Sequence, residues 1–257
     1  SAGRTKAAAL GVFVGTSARA GVVVAAMVLP AAASAGASAK AAVTAYDSLP
    51  AEITAPPLPL KSSVRAADGT EIAVVYSQNR VEVSLNAIAT DMQHAIIAIE
   101  DSRFYDHNGV DLKGTVRAAA NNAAGEEVQG ASTLTMQYIK NLLVTLADSP
   151  EQQQAATARS ASRKLQEIRY AVALEQEMSK PEILNNYLNI SYFGAGAYGV
   201  EAASQRYFSK PASELTLVES ATLAGIVQSP NENDPTLNPE AATKRRNLVL
   251  RRMLELG

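Results

Sequence analysis

Apart from Arg19, residues 7–39 carry no charge; the run is mostly Ala, Val and Gly with a few larger apolar side chains, preceded by Arg4 and Lys6. About 20 apolar residues cross a bilayer, so this run predicts an N-terminal transmembrane helix within residues 1–40. The flanking positive charges would keep the N-terminus cytoplasmic and place everything after Lys40 outside. The small residues of 31–39 also suit a cleaved signal peptide, and Arg19 and Pro30 interrupt the span. Pro50, Pro56, Pro57 and Pro59 make residues 41–62 an extended linker, and a globular domain is expected over 63–257. β-Branched residues (Ile72, Val74, Val75, Val81, Val83) around an Asp68-Gly69 turn predict a short β-hairpin of two or three strands at the start of that domain.

Beyond residue 85 the apolar period is helical. Ile88, Met92, Ile96 and Ile99 share one face of a helix ending near Glu100. Asp111 is placed to cap a second, with Val116, Ala119 and Ala120 inward, and Ser132 or Thr133 to cap a third reaching about residue 143. A long fourth spans 159–178. Ser179 followed by Glu182 has the capping-box spacing and opens a fifth helix through 188. Two more fall near 216–227 and 240–256, and the Gln/Ala-rich stretch 151–158 reads as an exposed insert. The fold expected is mainly α.

Composition narrows the chemistry. With 257 residues and 47% hydrophobic content the chain can bury a core, and its net charge of -2 gives no pull toward nucleic acid. There is no cysteine for a disulfide or a thiol nucleophile, and two histidines, His94 and His107, leave little for a zinc site.

Three groups of residues stand out. Glu100, Asp101, Phe104, His107, Gly109 and Asp111 lie where an apolar helix gives way to a turn, and a partly apolar pocket there shifts a carboxyl toward acid or base work. Surface acids beside loop-packing residues would look the same. In residues 130–141, Thr133, Gln137, Lys140 and Asn141 share one polar helix face behind a Gly/Ser/Thr entry, which suits an anionic or sugar ligand or a merely solvated face. Arg159, Arg163 and Glu167 repeat at four-residue spacing beside Lys164, either as a surface ion-pair ladder or as the cations that sugar transfer from a diphosphate requires.

The order of these groups resembles the peptidoglycan glycosyltransferase domain of class A penicillin-binding proteins and monofunctional transglycosylases, of an actinobacterial type. The first family motif, E-D-x-x-F-x-x-H-x-G-x-D, is matched in full by residues 100–111. The second, G-x-S-T-x-T-Q-Q followed by K-N, occupies 130–141 with Met136 in place of the first glutamine. R-K-x-x-E is residues 163–167, K-x-x-I-L-x-x-Y-L-N is 180–189, and R-x-x-x-V-L-x-x-M is 245–253.

That resemblance implies a lysozyme-like helical larger lobe with a smaller membrane-associated jaw lobe, to which the insert between Lys140 and Arg159 would belong. It implies inverting polymerisation of lipid II into β-1,4-linked glycan, Glu100 as general base and Glu167 as the second essential carboxylate. Lys140, Arg159, Arg163 and Lys164, with Arg117 as an additional candidate, would meet the polyprenyl diphosphate and keep Glu100 ionised. Ser132, Thr133, Gln137 and Asn141 would contact the donor, while Asp101, Phe104 and His107 would shape the pocket. Met136 removes one amide contact, and the last two motifs, with Tyr187, Asn189 and Met253, would be structural. No organic cofactor is implied, although a divalent metal, Mg or Mn, is compatible with the diphosphate. The implied partners are lipid II, the growing strand, the membrane and proteins of cell division or elongation. The implied location is the plasma membrane, single-pass, with the catalytic domain outside. No S-x-x-K transpeptidase motif occurs in the chain. A lysozyme-like lytic enzyme is the rival, but it needs a protonated acid and has no use for the cations.

Overall fold

The computed structural model describes residues 57–76, 78–115, 132–158 and 160–257. The expected anchor, most of the linker, Arg117, Arg159 and the body of the helix expected after Asp111 lie outside these residues. Among the described residues no helix is long and apolar enough to cross a membrane.

Among the described residues the architecture is mainly helical with two small two-stranded sheets. Strands β1 (Ser62–Arg65) and β2 (Glu71–Val75) form the expected antiparallel hairpin. Asp68 accepts from Thr70 N at 2.9 Å, and Gly69 supplies the positive φ of the turn. The next strand, β3 (Asn79–Arg80), does not extend that hairpin but pairs in parallel with β4 (Ala197–Tyr198). Arg80 explains the choice: its buried guanidinium donates to Asn189 O and Pro59 O, each at 3.1 Å, and lies 5.5 Å from the centre of the Tyr198 ring. Val81 and Val83 therefore follow a strand of only two residues instead of forming a third hairpin strand.

Helix α1 (Thr90–Glu100) buries Met92, Ala95, Ile96 and Ala98. Ile88 is buried as expected but precedes the helix, closing a 3₁₀ turn (Leu85–Ala87). Thr133 caps α2 (Leu134–Thr145), its side chain accepting from Met136 N, and Leu134, Tyr138 and Leu142 face the core as their spacing predicts. The stretch read as an exposed insert is helical: Ser149 caps α3 (Pro150–Thr157), with Pro150 in the first turn, where a missing N–H costs nothing. It is exposed as expected, burying only Ala156. Ser160 caps α4 (Ala161–Glu177), and Ser179 with Glu182 closes the expected capping box on α5 (Lys180–Ile190).

Helix α6 (Val200–Phe208) is a second helix the sequence did not announce. It starts after Gly199, where φ is 82° and an added Cβ would stand 2.7 Å from Asn189 O. Thr216 and Glu219 form a second capping box on α7 (Leu217–Ile226), and Asn238 caps α8 (Pro239–Leu256). One core runs through α1, α2, α5, α6 and α7, around Met92, Ile96, Leu134, Leu184, Tyr187 and Leu223. Helix α8 packs on α7 and α1, and α2 packs on α5 and α4, so the ends of α1, α2, α4 and α8 bring the sequence motifs together.

Candidate active site

Glu100 is the last residue of α1, and Asp101 breaks the helix with φ at −157°. That break turns the Asp101 carboxylate back under the site, where it accepts from Leu134 N at 3.0 Å, at the positive end of α2. His107 Nε2 lies 2.9 Å from the same carboxylate, both side chains being buried. The Phe104 ring is buried and meets His107 edge-on, 6.3 Å between centroids. Beneath it, Lys180 Nζ sits 4.5 Å from the Phe104 ring centre and 2.7 Å from Glu175. Asp111 accepts from Gly114 N at 2.9 Å, the capping contact its position predicts, and pairs with Arg103. Burial pushes its carboxyl up, but Arg103 and the Gly114 amide prevail and hold it below the ordinary value.

The first two motifs are fastened to each other by Thr133, whose hydroxyl donates to Gly109 O at 2.7 Å while capping α2. Gly109 has φ of 78°, and a Cβ there would stand 2.7 Å from Ala171 O. Gly109→Ala is therefore expected to lower unfolding free energy by about 2 kcal/mol, read as a lower denaturant midpoint at unchanged m-value.

Gln137 Nε2 donates to Glu100 Oε2 at 2.9 Å, and the Tyr187 hydroxyl donates to Gln137 Oε1 at 3.1 Å. Arg245 approaches Glu100 Oε1 to 3.6 Å. Burial pushes the Glu100 carboxyl above its ordinary value, with Gln137 and Arg245 pulling the other way and Asp101 adding to the rise. One expectation changes here: the fourth and fifth motifs are not only structural, since Tyr187 donates to Gln137 and, among the described residues, Arg245 from α8 approaches Glu100.

A second cluster lies between the N-terminal ends of α2 and α4. Glu167, 2% exposed, pairs with Arg163 and, at 3.3 Å, with Lys164. Lys164 Nζ also donates to Ser132 Oγ at 2.7 Å. Burial lowers the Lys164 ammonium from its ordinary value against the pull of Glu167, and Arg163 and Lys140 lower it further. Lys140 is exposed on α2, on the same helix as Gln137. Asn141 turns elsewhere, donating to Ser191 Oγ at 3.4 Å. Met136 is buried in the core, so its replacement of glutamine alters packing instead of the cleft.

Glu167 is a single carboxylate already engaged by two cations, and no group of three or more metal-ligating side chains occurs among the described residues. The donor set among the described residues does not fit a metal held by the protein itself.

A family model described as Transglycosylase matches residues 68–254, a range that contains all five motifs. The chain is 42% identical over 196 residues to penicillin-binding protein 1A of Mycobacterium tuberculosis, covering 76% of this chain and 23% of that protein. It is 40% identical over 201 residues to penicillin-binding protein 1A of Pseudomonas aeruginosa, covering 78% and 23%. Against penicillin-binding protein 1F of Bacillus subtilis the identity is 39% over 197 residues, covering 76% and 26%. The chain thus spans about a quarter of the length of these relatives. The chain belongs to the transglycosylase family, among the peptidoglycan glycosyltransferase domains of class A penicillin-binding proteins.

Proposed function

We propose that this domain polymerises lipid II into β-1,4-linked glycan strands, with Glu100 as general base. The observation that carries the reading is a buried carboxylate at the end of α1, gripped by Gln137 and connected along α2 to the cations around Glu167. In this reaction the 4-hydroxyl oxygen of the acceptor's N-acetylglucosamine attacks C1 of the α-linked donor sugar. Its proton passes to Glu100, and the bond from C1 to the diphosphate oxygen breaks. Attack from the opposite face inverts C1, and the electron pair leaves on the polyprenyl diphosphate.

Such a hydroxyl is too weakly acidic to ionise at neutral pH, so the proton moves as the C1 bond forms. A carboxyl raised by burial is a stronger base for that transfer than a solvated one. Lys140, Arg163 and Lys164, with Arg159 and Arg117, would meet the charge growing on the diphosphate, and Glu167 would hold Arg163 and Lys164 in place. Ser132, Thr133 and Gln137 belong to the donor side of this proposal. Asp101, Phe104 and His107 support the turn beneath Glu100.

The lipid substrate makes a membrane setting part of the same reading. The apolar run in residues 1–40 would anchor the domain beyond the 41–62 linker on the extracytoplasmic face. Exposed α3, which follows the end of α2, fits a small lobe facing lipid below a lysozyme-like larger lobe.

The linkage of the product tests the reaction. Product made from labelled lipid-linked disaccharide-pentapeptide by the detergent-solubilised chain should be cut to muropeptides by a muramidase that cleaves only β-1,4 bonds. A resistant product would contradict inversion, and cleavage of preformed glycan without synthesis would favour the lytic rival.

A further inference from the structure

Two side chains outside the donor and base roles converge on Glu100. Arg245 lies on α8 three residues after Ala242 and four before Val249, both buried, so the helical period turns it inward. Its side chain is 17% exposed and that of Glu100 11%, which leaves their 3.6 Å approach little screened by water. Helix α7 passes at Gly225, where an added Cβ would stand 3.0 Å from Arg245 Cγ. The glycine therefore gives the arginine stem room to reach the site. At the other carboxylate oxygen, Gln137 donates from nitrogen because Tyr187 donates to its amide oxygen, which fixes the amide orientation. Burial, and then the neighbouring Glu100, push the Tyr187 hydroxyl well above the ordinary tyrosine range, so it remains a donor across the working pH range.

We propose that Arg245 and the Tyr187–Gln137 pair are positioning residues for Glu100, each steadying one carboxylate oxygen, and that Arg245 sets the pH at which the base becomes available. This rests on Glu100 being the base. Among the described residues the groups facing it are Asp101 from its own turn, Gln137 from α2, Tyr187 from α5 and Arg245 from α8. Helix α7 also packs on α1, but its charged residue, Glu219, is engaged by Thr216 and Lys210. Of these groups Arg245 alone is cationic, and a guanidinium stays charged throughout the accessible range.

The test compares pH profiles of kcat/KM for polymerisation by the solubilised chain and by Arg245→Met, Arg245→Gln, Arg245→Lys, Tyr187→Phe and Glu100→Gln, with thermal midpoints for each. Either neutral replacement of Arg245 should move the acid limb to higher pH, lowering kcat/KM below that limb by about tenfold while the alkaline plateau largely recovers. Arg245→Lys should keep the parent limb. Tyr187→Phe should lower kcat by about tenfold with little change in KM, because the amide is freed to turn. An unmoved limb in the neutral variants, with rates lowered equally at every pH, would overturn the proposal while leaving an inactive Glu100→Gln to uphold the base. An active Glu100→Gln would overturn both.

Discussion

Glu100→Gln is expected to lower kcat/KM for glycan polymerisation by about 10²–10⁴-fold while the chain stays folded. Glutamine keeps the volume and one hydrogen-bonding oxygen, so Gln137 retains a partner and α1 keeps its end. What is lost is the group that accepts the proton of the attacking hydroxyl. Because burial raises the Glu100 carboxyl, the acid limb of the parent pH profile should lie above the ordinary carboxylate range. The sign follows from the role: below the folded pKa the carboxyl is protonated and cannot accept, so activity falls with acid. A parent profile that stays flat through that region, or a Gln variant within a few-fold of the parent, would contradict the base assignment.

The second large effect is expected at Glu167. Its carboxylate is buried against Arg163 and Lys164, so Glu167→Gln leaves two cations without their anion. Polymerisation should fall by about 10²–10³-fold as the cations lose their fixed positions toward the leaving diphosphate. Unfolding free energy should fall by about 2 kcal/mol, less than full burial would cost because Lys164 keeps 28% exposure. Burst and steady-state kinetics separate this from Glu100→Gln: weakened lipid-diphosphate binding should accompany the Glu167 change but not the Glu100 change. Unaltered donor binding and rate would remove Glu167 from the diphosphate site.

Much of this was legible because caps and motifs are local. Thr133, Ser179 and Glu182 mark their helix starts, and the spacing of Leu134, Tyr138 and Leu142 fixes the inward face of α2. Helix α6 was harder to see because Glu201 interrupts its apolar period, yet that carboxylate is buried and accepts from Ala212 N at 2.7 Å. The β3–β4 pairing depends on Arg80 finding carbonyls far along the chain, and two-residue strands have no pattern of their own. Motif order singled out Glu100 and Gln137, but the bond between them joins two motifs and was not legible, Gln137 being expected on the donor. Arg245 opens the fifth motif, which reads as structural from the sequence alone. Its helical phase with Ala242 and Val249 was the available signal.

The most direct measurement of the central claim follows polymer length and released polyprenyl diphosphate together when the chain is given labelled lipid-linked disaccharide. A processive transfer should release one diphosphate for each disaccharide added, with both signals lost in Glu100→Gln. Diphosphate release without polymer, or polymer unaffected by Glu100→Gln, would contradict it.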